Sequence, residues 1–75
     1  MSDVVNLAEW AWRRAVTRYN DAAMRRSDDL PAIIEHLAER TRIAVWAGVL
    51  TPTHQGQLSA VVGRGEAIQL NEGVQ

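Results

Sequence analysis

Between Asp3 and Ser27 the chain contains neither glycine nor proline, and its apolar residues return at helical spacing. At about 100° per residue, Val4, Val5, Ala8, Ala11, Trp12, Ala15, Val16, Tyr19, Ala22 and Ala23 fall on one broad arc. A strand sends alternate residues to opposite faces and cannot gather these positions on one side. The segment is therefore expected to be an amphipathic helix over about residues 3–26, with Asp3 as its cap. The alanines on the arc let a partner helix approach closely.

Ser27-Asp28-Asp29 interrupts this pattern, and Leu30-Pro31 starts a new one. Proline is tolerated in the first turn of a helix, and the aspartates complement the positive end of the helix dipole. A second helix is expected over about 29–49, with Leu30, Ile33, Ile34, Leu37, Thr41, Ala44, Val45 and Gly48 on its main apolar face. The short connection makes the two helices an antiparallel hairpin. Thr51-Pro52 then supplies a cap and a first helical residue for a third helix over about 52–69, with Leu58, Val61, Val62, Gly65 and Ile68 on one side. Gly56, Gly63 and Gly65 weaken that helix. A β-hairpin turning at Gly63-Arg64-Gly65 is the alternative, and the helix is preferred because an isolated two-stranded hairpin is marginal. Residues 71–75 are expected to form a frayed tail. The fold expected is all-α, one small domain over 1–75: an antiparallel helical hairpin with a shorter third helix.

At 75 residues, 47% hydrophobic and 23% charged, the composition is that of a small globular domain and too apolar for a disordered tail. So short a chain leaves only about 3–5 kcal/mol of net stability from a single core. With no cysteine to form disulfides, self-association is the usual remedy, and a homodimer is expected. The formal net charge is −1, so no overall positive field draws the chain to nucleic acid or anionic lipid. Met1-Ser2-Asp3 is acidic where a signal peptide carries positive charge, and the apolar run Ile43–Leu50 is far shorter than the roughly 20 residues of a bilayer span. A cytoplasmic protein without membrane association is expected.

Catalytic chemistry finds little to stand on. His36 has Glu39 one turn away and Glu35 on a neighbouring row, too few ligands for a stable zinc site. His54 has no acid, nucleophile or phosphate-cradling loop beside it. The reading is therefore non-enzymatic, with no metal and no cofactor.

The tryptophans point instead to a partner. Trp10 lies on the far side of the first helix from its apolar arc, flanked by Leu7 and Arg14. Ile43, Trp46 and Leu50 form a second stripe on the second helix, which makes that helix apolar all round near its end. Either the third segment folds back over this stripe, or another chain covers it. Trp and Arg dominate binding hot spots, so Leu7, Trp10, Arg14, Ile43, Trp46 and Leu50 are the candidate protein-interaction residues. A small regulator, adaptor or inhibitor acting by stoichiometric binding is expected, of the kind that phages and mobile elements also encode.

A second function class rests on other residues. Arg14, Arg18 and Arg25 line one side of the first helix as a phosphate-contacting strip. Ala44-x-x-x-Gly48-Val49, a turn and a further helix resemble the helix-turn-helix pattern of small repressors over residues 44–62, with polar His54 and Gln57 at positions where that pattern is apolar. The resemblance implies a dimeric DNA-binding regulator. Thr53, Gln55 and Arg64, together with the Arg14, Arg18 and Arg25 strip, are its candidate nucleic-acid contacts.

Overall fold

A computed structural model describes residues 3–69, and all of its regular structure is helical. Three helices follow one another: α1 (Asp3–Arg25), α2 (Leu30–Trp46) and α3 (Pro52–Gly63). The β-hairpin alternative is excluded, because residues 57–63 lie within α3. The expected tail over 71–75 lies outside the described residues.

From Ala8 to Ala22 the arc read on α1 faces the core, whereas Val4 at its start is 55% exposed and Ala11 is only half-buried. Ala8, Trp12, Ala15, Val16, Tyr19 and Ala22 are buried, and they meet Ile33, Leu37, Thr41 and Ala44 of α2. Thr41 satisfies its buried hydroxyl by donating to the Leu37 carbonyl one turn back, at 2.7 Å. α3 packs on α2 and not on α1. It contributes only half-buried Leu58, Val61 and Val62 to the rim of the core.

Each helix ends in the same way, and this shortens all three relative to expectation. After α1, the Arg26 and Ser27 N–H groups donate to the carbonyls of Ala23 (3.3 Å) and Ala22 (3.0 Å). After α2, Gly48 and Val49 donate to Val45 (3.1 Å) and Ala44 (2.8 Å). After α3, Gly65 and Glu66 donate to Val62 (2.9 Å) and Val61 (3.1 Å). These paired bonds are Schellman caps, and each requires a left-handed residue: Arg26 (φ +54°), Gly48 (φ +85°) and Gly65 (φ +73°). The second helix therefore stops at Trp46 rather than 49, and Gly48 belongs to the turn rather than to the helix face. The third stops at Gly63 rather than 69.

The start of α3 follows ordinary capping rules, whereas Asp3, expected to cap the first helix, lies within its first turn. Thr51 is extended, and its Oγ1 accepts from the His54 N–H at 3.1 Å, with Pro52 at the first helical position. Asp29 precedes α2 without a side-chain cap bond, and its own N–H is held by the Ser27 hydroxyl at 3.2 Å.

Beyond Gly65 the chain leaves the helix and returns to α1. The Tyr19 hydroxyl donates to the Glu66 carbonyl at 2.8 Å. The Asn20 amide engages Ile68 twice, donating to its carbonyl at 2.7 Å and accepting from its N–H at 2.8 Å. Ile68 is thereby buried in the core. It reaches the apolar side as expected, but from an irregular segment rather than from a helix face.

Candidate interaction face

Two sides of α2 are covered differently. On one side, α3 closes a groove lined by Ile34, Ala38, Leu58 and Val62. On the other, α1 and α2 form a face that no residue of α3 lines.

At one end of this open face, Val4, Leu7, Trp10 and Ala11 of α1 border a groove of about 380 Å³ with Arg40 and Ile43 of α2. Leu7 is 65% exposed and Trp10 58%. The Arg14 guanidinium lies 5.0 Å from the centre of the Trp10 ring, a cation–π contact that fixes the indole's orientation without burying it. Trp46, three residues beyond Ile43 and so its neighbour on the helix surface, is 79% exposed.

The third segment therefore does not fold over Trp46. The reversal at Gly48 sends the following residues back toward the core, where Val49 and Leu50 pack at its edge. The stripe read as Ile43, Trp46 and Leu50 is accordingly divided. Ile43 is half-buried beside α1, Trp46 points outward, and Leu50 turns in. The stretch read as a helix apolar all round is a helix end followed by a turn.

The other end of the open face is charged. Arg14 and Arg18 share a cleft with His36 of α2. His36 also lines a separate cleft formed by α2 alone, with Glu35, Glu39 and Arg42.

The nucleic-acid candidates are dispersed. Arg25 is paired with Asp21 at 3.3 Å, and Arg64 with Glu66 at 3.2 Å. Thr53 is exposed on the first turn of α3, and Gln55 lines the α2–α3 groove. Since α3 does not pack on α1, Thr53, Gln55 and Arg64 are not brought beside Arg14 and Arg18. His54 is exposed, and among the described residues no three His, Asp or Glu side chains gather to hold a metal. Among the described residues, no helix is long and apolar enough to cross a membrane. Comparison with protein-family models, curated proteins and solved structures gives no match to this chain.

Proposed function

We propose that the protein is a small non-enzymatic regulator, adaptor or inhibitor that works by stoichiometric protein–protein binding through the open α1–α2 face. The observation that carries this reading is the placement of Trp10 in solvent beside Leu7, Val4 and Ile43, with Trp46 exposed one helical turn from Ile43. Large apolar side chains clustered with arginine are what binding hot spots are made of. An apolar cluster of this kind on so small a molecule marks an interaction site. The assembly in which it acts is an antiparallel hairpin that pairs with itself. The four-residue link between Arg25 and Leu30 supports that hairpin, as do the shared clefts: Leu7 and Ala11 lie with Arg40 and Ile43, while Arg14 and Arg18 lie with the earlier His36. Cytoplasmic action belongs to the same proposal.

The test is affinity capture from a cell lysate with wild type, Trp10→Ala and Trp46→Ala, each checked for helicity by circular dichroism. Loss of the captured protein in both variants is expected. Unchanged recovery with both rejects the face. Duplex DNA binding is a second reading, supported by Arg14 and Arg18, which project from α1 without carboxylate partners among the described residues. It predicts retention on DNA that collapses between about 50 and 200 mM salt, and an absence of retention at low salt removes it.

A further inference from the structure

On the other side of α2 from the open face, α2 and α3 enclose a groove of about 320 Å³. Small-molecule sites occupy roughly 300–1,000 Å³. Ile34, Leu37 and Ala38 of α2 and Leu58 and Val62 of α3 line it from its two walls. Thr41 lines it as well, but its hydroxyl proton is already given to the Leu37 carbonyl. No side chain of α3 is buried, and Ile34, Leu58 and Val62 remain half-buried. Both walls therefore carry apolar surface that neither helix covers for the other.

The polar groups of the groove gather at one end. Arg42 and Gln55 each stand about one turn from the link between α2 and α3, whereas Ile34 and Val62 lie toward the far end of each helix. Among the described residues Arg42 has no carboxylate at ion-pair distance, even though Glu39 lies one turn before it. The Gln55 side chain is half-buried and makes no hydrogen bond among the described residues. The same end is the positive end of the α3 dipole.

We infer that this groove binds an unbranched carboxylate with an apolar tail, the chemistry of a medium-chain fatty acid. The Arg42 guanidinium and the Gln55 amide donate to the headgroup oxygens, a planar donor set that matches a carboxylate. The tail runs between Leu37, Ala38, Leu58 and Val62 toward Ile34. Ile34 and Arg42 are eight residues apart. That separation is about 12 Å along the helix, which an extended chain of roughly ten carbons spans at bond lengths near 1.5 Å. Arg42 is the one basic residue lining the groove, so a monoanion suits it better than a phosphate dianion. A partner helix is about 10–12 Å across, too thick for a gap between two helices that are themselves in contact.

Calorimetric titration of the full chain with sodium decanoate, below its micelle-forming concentration, tests this assignment. One saturable site per chain is expected. Decyltrimethylammonium has the same tail and the opposite charge, and butyrate has the same headgroup on a short tail. Each is expected to bind more weakly by on the order of 10-fold or more. Arg42→Gln is expected to weaken decanoate on the order of 10-fold and to leave the binding of uncharged 1-decanol unchanged. Arg42 is exposed, so helicity is expected to be retained; should it be lost, the headgroup comparison on the wild type decides alone. Absence of a saturable decanoate site overturns the proposal, as does an Arg42→Gln variant that keeps the wild-type affinity. Decyltrimethylammonium or decanol binding as tightly as decanoate overturns it too, because the groove would then read only the tail. Trp10 does not line this groove, so Trp10→Ala is expected to bind decanoate as the wild type does, whatever becomes of the protein-docking face. A loss of decanoate binding in that variant would place the ligand on the tryptophan face and reject the groove.

Discussion

Asn20 holds the end of the chain with an amide that copies the hydrogen-bonding edge of a strand. Its donor and acceptor match the Ile68 carbonyl and N–H together, so an irregular segment gains two satisfied backbone groups without a neighbouring strand. Tyr19, the preceding residue, ties down Glu66 in the same manner. Burial raises the pKa of the Tyr19 phenol above its ordinary value near 10, and the Glu66 carboxylate adds to the effect. The neutral phenol is thus the form the fold favours. Below the unfolded-state value near 10 both states carry the proton, and the stabilisation is complete. As pH rises toward the folded-state value, the unfolded chain ionises first and stability falls. Tyr19 is the sole tyrosine, so absorbance at the tyrosinate band reports it alone. The expected midpoint lies above 10 in the native protein, with a parallel alkaline loss of stability that Tyr19→Phe abolishes. A native midpoint at or below the ordinary value contradicts the buried phenol.

The three helix ends share one cap geometry but not one residue. Gly48 and Gly65 adopt positive φ at no steric cost, whereas Arg26 holds the same region with a side chain that disfavours it. Arg26→Gly is therefore expected to stabilise the protein by about 0.5–1 kcal/mol, and Gly48→Ala to destabilise it by about 1 kcal/mol. No atom lies within 4 Å of a Cβ built on Gly48, so its cost would be conformational rather than steric. Urea unfolding of both variants checks the pair, and changes of the same sign reject the shared cap. These caps also explain which parts of the fold could be read from the sequence. The starts were legible, because Thr51-Pro52 and Leu30-Pro31 are local signals that act within one turn. The buried face of α1 was legible because its periodicity runs unbroken from Ala8 to Ala22. The ends are not, since Gly48 reads from spacing as part of the second helix's apolar face and Gly65 as a residue that weakens the third, rather than as left-handed caps. Ile68 happens to fall at helical spacing from Val61, so its burial by a returning segment could not be told from a longer helix. The Asn20 clamp was missed for a related reason: a polar residue beside the arc looks like solvated surface until its distant partner is known. Of the open face, Leu7, Trp10 and Trp46 were legible as misplaced apolar residues. Leu50 was not, because its direction depends on the reversal at Gly48.

The three tryptophans divide into one that holds the core and two that face solvent. Trp12 is buried, although its indole N–H has no hydrogen-bond partner among the described residues. What holds it is packing, and removing such a ring costs about 3–5 kcal/mol, comparable to the whole net stability of about 3–5 kcal/mol that so small a core supplies. Trp10 and Trp46 contribute little to that core, being more than half exposed. On the proposed self-pairing, a copy seated on them would add its stabilisation by mass action, about 2.7 kcal/mol when the chain is at 100 times its dissociation constant. In a domain of this size that corresponds to a rise in melting temperature on the order of 10–20 °C. The melting temperature of the wild-type protein is therefore expected to climb with protein concentration. The Trp10→Ala/Trp46→Ala variant should instead melt at one temperature throughout, near that of the wild type at high dilution, because it keeps the core and loses the pairing. Differential scanning calorimetry across a dilution series separates these contributions. A wild-type melting temperature that does not move with concentration would place all of the stability in the single chain and leave the tryptophan face to a different protein.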